Sequence, residues 1–108
     1  MNTKPDLENK SLTLRVDGDL ISTNAEAVRN EAARLLESSG GGTGGWNLFK
    51  LDLSAAKMVD SKGLNLIVIL LKRAQKQNAR LQVIYSDPNV QRTFTFTRLD
   101  KQVELVKA

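Results

Sequence analysis

The run Leu64-Asn65-Leu66-Ile67-Val68-Ile69-Leu70-Leu71 constrains this chain most, because seven of its eight positions are apolar and must be withdrawn from water. By composition it fits a buried strand as well as a helix. Its flanks decide for helix. Asp60-Ser61-Lys62-Gly63 precedes it, with Ser61 placed as a hydroxyl N-cap, and the pattern continues over 62–77 to Lys72, Arg73 and Lys76 in the last turns. Asn78 then supplies a left-handed stop. The predicted helix carries two apolar stripes, one through Leu64, Ile67, Val68, Leu71 and Ala74 and one through Leu66, Ile69 and Leu70. One stripe is enough to cover a sheet, so the second is either buried too or offered to a partner.

The rest of the chain alternates strand and helix patterns around this helix. Leu12, Leu14 and Val16 alternate with Thr13, Arg15 and Asp17 as a half-buried strand. Asp17-Gly18-Asp19 reads as a tight turn into a return strand at Leu20-Ile21, which predicts an N-terminal hairpin. Thr23-Asn24-Ala25-Glu26 reads as a capping box opening an amphipathic helix with Ala25, Val28, Ala32, Leu35 and Leu36 on one face. The stretch 46–53 alternates as a central strand with Phe49, Leu51 and Leu53 on one parity, and Met58-Val59 is a brief extended piece. Leu81, Val83 and Tyr85 mark another strand, and Asp87-Pro88 opens a third helix over 88–98 with Val90 and Phe94 turned inward. Val103 and Leu105, alternating with Gln102 and Glu104, suggest a final short strand or extended tail. The expected fold is α/β: one domain over 11–108 after an N-terminal tail at 1–10, with a mixed sheet of four to five strands, an antiparallel start and packed helices.

Composition narrows the chemistry. With 108 residues the chain can bury one core without staples. It has no Cys and no His, and so lacks the usual zinc ligands, a thiol nucleophile and the side chain best suited to proton transfer at neutral pH. The absent cysteines and the polar first ten residues, which lack the apolar core of a signal peptide, point to a cytoplasmic protein, and no run is long enough to insert in a membrane. Residues 1–54 hold 6 bases and 8 acids, whereas residues 55–108 hold 10 bases and 4 acids. The bases of the second half are scattered and aromatic residues are few, so an acidic protein partner or a solvated face is expected and nucleic acid is not.

The candidate sites lie at the ends of the β segments. Asp52 and Asp60 could approach a divalent cation there, but no third ligand can be placed, and aspartates at such positions commonly cap turns. No metal is expected. Gly40, Gly42 and Gly45 formally match a dinucleotide fingerprint within a glycine-rich loop at 40–45 predicted to be flexible. That loop follows a helix and precedes a strand, the reverse of the required order, so no cofactor is expected. Ser61 has no base to activate it, which argues against a catalytic serine and, with the composition, against an enzyme. It is either a helix cap or, placed at a helix N-terminus beside Lys62, a serine that accepts a phosphate without melting the helix.

Leu51-Asp52-Leu53-Ser54, Val59-Asp60-Ser61-Lys62-Gly63-Leu64, the Leu- and Ile-rich helix ending in Lys72-Arg73-Ala74, and Val90 through Leu99-Asp100-Lys101 together resemble a STAS domain, most closely a bacterial anti-sigma factor antagonist. The resemblance runs from about Leu12 to Val106 and is most specific at Asp-Ser-x-Gly. It implies a non-enzymatic partner switch in transcription regulation. The unphosphorylated protein binds a serine kinase that doubles as the anti-sigma factor, phosphorylation of Ser61 switches it off, and a serine phosphatase restores it. Asp60, Ser61, Lys62, Gly63, Leu64 and Ile67 would then form the partner surface or its support, in a monomer or weak dimer. The sequence departs from the family pattern at Lys62, where a small residue is usual, in its long glycine loop, and at Asn78 and Arg98, where glycines are common. Two alternatives remain: a STAS subunit docked constitutively on a transporter ATPase, and, less favoured, a nucleotide-binding protein.

Overall fold

A computed structural model describes residues 2–6, 10–38 and 46–108. Five strands form one sheet in sequential order: β1 (Asn2–Asp6), β2 (Ser11–Arg15), β3 (Leu48–Leu53), β4 (Arg80–Tyr85) and β5 (Glu104–Lys107). The helices are α1 (Ala25–Ser38), α2 (Ser61–Lys76) and α3 (Pro88–Phe96), followed by a 3-10 turn at Leu99–Lys101. The four strands β2 to β5 are mutually parallel, each reached from the last through a helix, as βαβ connectivity requires. The glycine-rich loop at 40–45 lies outside the described residues.

Strand parity fixes the sheet's two faces. Leu12 and Leu14 of β2, Phe49, Leu51 and Leu53 of β3, and Leu81, Val83 and Tyr85 of β4 are buried in one core. Their neighbours Thr13, Lys50, Asp52, Gln82 and Ile84 point to the other face and are only half-buried. Val28, Ala32, Leu35 and Leu36 of α1 join the core, as do Val90 and Phe94 of α3, matching the faces read from their spacing. In α2 the buried residues are Gly63 and the apolar set Leu66, Ile67, Leu70, Leu71 and Ala74, which takes members from both predicted stripes. Leu64, Val68 and Ile69 flank it half-buried. Trp46, just ahead of β3, is buried and meets Phe49 edge to face, with centroids 6.1 Å apart.

The expected hairpin is not formed. Leu20 makes an isolated parallel bridge with Val59, continuing the β2 side of the sheet toward the start of α2, and no return strand lies beside residues 12–16. The turn signal of Asp17-Gly18-Asp19 is real but local, and it is overridden by the long-range pairing of Leu20, whose side chain is fully buried. The antiparallel partner of β2 is β1, with Asn2 opposite Arg15 and Asp6 opposite Ser11. Residues 2–6, assigned to a tail, therefore form an edge strand, the one place in a sheet where Pro5 is tolerated without breaking a ladder on both sides. The capping box is displaced as well. Helix α1 starts at Ala25, and the Asn24 side chain serves the preceding loop, accepting from the Ile21 N–H and donating to the Asp19 carbonyl. Asn78 and Arg98 have φ of 57° and 63°, which explains why glycine suits these two positions.

Candidate functional site

The Asp60-Ser61-Lys62-Gly63 segment begins α2 just past the C-terminal end of the parallel sheet, the edge where open α/β sheets hold their ligands. The cap is Asp60 and not Ser61. Asp60 is extended, with φ −90° and ψ −175°, and its Oδ1 accepts from the Gly63 N–H at 3.0 Å. Its Oδ2 accepts from the Ser22 N–H at 2.8 Å. A carboxylate has two oxygens to divide between helix and loop, whereas a hydroxyl at the same place would have to meet both donors with one oxygen. Asp60 therefore satisfies an N-terminal donor of α2 and ties the helix to the loop before α1 in one side chain.

A second aspartate fastens the same two segments from the opposite direction. Asp19 Oδ1 accepts from the Lys57 and Met58 N–H groups at 2.7 and 3.2 Å. Between the two carboxylates, the Leu20 N–H donates to the Met58 carbonyl and the Asp60 N–H donates to the Leu20 carbonyl, both at 3.1 Å. Gly63 completes the junction by lying directly on Leu20. A methyl there would press into the Leu20 carbonyl oxygen and stand 2.9 Å from both Leu20 Cγ and Val59 Cγ1. Gly63 is buried because the helix must pass this close to backbone.

Ser61 is left exposed at the first position of α2, and among the described residues its hydroxyl has no hydrogen-bond partner. Freed from capping, it can be modified without removing a bond on which the fold depends. Lys62 is exposed beside it, at the rim of a polar groove of about 300 Å³ between α1 and α2 that Ser22, Glu26, Arg29 and Asn65 also line. Leu64 is half-buried one turn on from Ser61. Ile67 is fully buried and so can only support a surface, not belong to one. Asp52 accepts from the Ser54 N–H at 2.9 Å and serves its own turn, and among the described residues no group of three or more acidic, His or Cys side chains could hold a metal ion. Among those residues, too, no helix is long and apolar enough to cross a membrane.

Two exposed apolar residues near the site were not singled out from the sequence. Met58, two residues before Asp60, is 51% exposed, and Phe96, at the end of α3, is 89% exposed. The signal for Phe96 is present in the spacing: Val90 and Phe94 point inward four residues apart, and a residue two positions beyond Phe94 falls roughly 200° round the helix from it.

The Gly63 N–H bond holds the Asp60 carboxyl below its ordinary range, opposed by partial burial and aided by the Ser22 and Lys62 N–H groups and the Lys62 charge. A depressed folded-state value means that ionised Asp60 stabilises the fold above the ordinary carboxylate range, and that this contribution is lost as pH falls through the lowered value. Asp60→Asn should therefore lower the melting temperature at pH 7 and narrow its difference from the wild type as the buffer is taken from pH 5 toward pH 2. Melting curves across that range check the sign; a difference that widens in acid contradicts the assignment.

A STAS domain family model matches residues 2–108. The chain belongs to the STAS domain family. Among solved structures it is similar to a candidate anti-sigma factor antagonist from Thermotoga maritima, at 21% identity and a TM-score of 0.80, covering 99% of this chain and 86% of that one. An anti-sigma factor antagonist from Mycobacterium paratuberculosis is also 21% identical, with a TM-score of 0.77, covering 97% and 84% of the two chains. The anti-sigma factor antagonist SpoIIAA in its unphosphorylated form aligns at 16% identity and 0.77 over 99% and 86%. At these identities the likeness establishes a shared STAS fold.

Proposed function

We propose that this STAS protein is a partner-switching regulator of the anti-sigma factor antagonist type. Its unphosphorylated form binds a serine kinase that is also an anti-sigma factor, phosphorylation of Ser61 releases that partner, and a phosphatase resets the protein. The observation that carries this reading is the division of labour at the start of α2, where Asp60 does the capping and Ser61 presents an exposed hydroxyl bonded to nothing else described. Similar folds in proteins described as anti-sigma factor antagonists, and SpoIIAA of Bacillus in a phosphorylated form, support the same reading.

A phosphate on Ser61 brings a charge of roughly −1.5 to −2 and three acceptor oxygens. It arrives beside the Asp60 carboxylate, which already holds the Gly63 and Ser22 N–H groups. The modification therefore changes the electrostatics of the exposed face and leaves the cap in place. Lys62, next along the helix and exposed, is the cation nearest in sequence to receive it. The protein itself supplies no chemistry in this scheme; the kinase and phosphatase do.

Incubation with its ATP-dependent serine kinase should add one phosphate to the wild type and none to Ser61→Ala. Equal labelling of the two proteins overturns the site. Binding that is indifferent to Ser61→Asp would instead favour constitutive docking, as on a transporter ATPase.

A further inference from the structure

The most exposed large apolar side chain of the described residues has no role in the switch as drawn so far. Phe96 is 89% exposed, and with Leu64, Arg92 and Thr93 it lines an open groove of about 730 Å³ between the start of α2 and the length of α3. Leu64 lies three residues after Ser61, hence on the same side of α2, so the groove begins one turn from the hydroxyl. Arg92 lies four residues before Phe96, on the same side of α3. A partner placed over Ser61 thus also covers this groove.

Charge specifies what the groove takes. Neither wall carries an acid: α2 reads SKGLNLIVILLKRAQK and α3 reads PNVQRTFTF. No Asp or Glu occurs between Asp60 and Asp87, or between Asp87 and Asp100. Arg92 lines the groove and Arg98 follows α3; both are exposed, and among the described residues neither is in an ion pair within 4 Å. A helix surface with only cations lacks the i,i+4 partners that ordinarily neutralise such residues. An exposed aromatic ring one turn from an arginine with no acidic neighbour on its own helix is the arrangement expected where an apolar anchor flanked by a carboxylate docks.

We propose that the Leu64–Phe96 groove binds an acidic amphipathic segment of the same serine kinase, with an apolar side chain seated between Leu64 and Phe96 and a carboxylate facing Arg92. The inference rests on the partner-switch reading and adds to it a second, non-reacting contact. It also gives the phosphate a physical target. Phosphorylated Ser61 places negative charge one turn from the groove and repels the acidic segment, so release does not require the fold to move.

The test compares wild type, Phe96→Asp and Arg92→Glu, using the purified kinase that labels Ser61. Both replaced residues are exposed, so the variants should melt within a few degrees of wild type. Each should weaken kinase binding by about tenfold or more, the size of effect an interface anchor carries. Arg92→Glu should also flatten the salt dependence of the dissociation constant. At saturating kinase, both variants should still be labelled on Ser61. Wild-type affinity in Phe96→Asp overturns the groove while leaving the switch intact. Weakened binding in Phe96→Asp alone, with Arg92→Glu unaffected, overturns the acidic occupant. No transfer of phosphate to the wild type by any such kinase overturns the partner-switch reading and this inference together.

Discussion

Gly63→Val should be the most damaging single change at this site, lowering the unfolding free energy by upwards of about 3 kcal/mol, with Gly63→Ala costing about 1–3 kcal/mol net. Alanine would ordinarily stabilise a helix relative to glycine by about 1 kcal/mol, so a loss here is diagnostic of the contact. The new methyl meets the Leu20 carbonyl oxygen, and that carbonyl is held in place because it accepts from the Asp60 N–H at 3.1 Å. It cannot retreat without breaking the junction. Denaturant unfolding measures the cost, and for a domain of this size each kcal/mol lost should lower the melting temperature by roughly 4–8 °C. A stabilised Gly63→Ala protein would mean that α2 does not pass this close to Leu20. Valine's second branch adds a clash with Val59, whose Cγ1 is already 2.9 Å from an ideal Cβ.

A pair of substitutions one turn apart should separate support from surface. Ile67→Ala removes a fully buried side chain and is expected to cost about 2–5 kcal/mol of stability. Kinase binding by the fraction that remains folded should be close to that of wild type. Leu64→Ala trims a half-buried residue that lines the groove beside Ser61, and should do the opposite: a small change in melting temperature and a clear loss of affinity. Thermal melts and titration calorimetry on the two variants provide the contrast. If Ile67→Ala weakened binding while remaining fully stable, the burial that excludes Ile67 from the partner surface would be wrong.

The elements with a strong period were legible before the fold was known. Alternation in 46–53, the i, i+3, i+7 spacing of α1 and the Asp87-Pro88 start of α3 each reflect a local preference that the tertiary structure also satisfies. The misreadings share one physical cause, which is that the deciding contact is distant in sequence. Asp60 and Ser61 are both good caps, and only the Ser22 N–H, 38 residues away, makes a two-oxygen acceptor the better choice. The Asp17-Gly18-Asp19 hairpin was plausible until Leu20 paired with Val59. Strand β1 carries no alternation and includes a proline, so nothing in Asn2–Asp6 announces a strand without its partner β2. The importance of Asp60-Ser61-Lys62-Gly63 was readable from residue types alone, but the separate duties of its members were not.

The mixed direction of the sheet has a consequence for anything joined to this domain. Because β1 runs against β2, its first residue, Asn2, lies beside Arg15, at the end of the sheet where β2 stops. Strand β5 runs with β4, so Lys107 lies beside Tyr85 at that same end. Asn2 and Lys107 therefore both lie on the side where Ser61 starts α2. A fluorescent protein, an affinity tag or a neighbouring domain attached at either end shares space with whatever approaches the serine, and the length of the tether decides whether it obstructs that approach or delivers it.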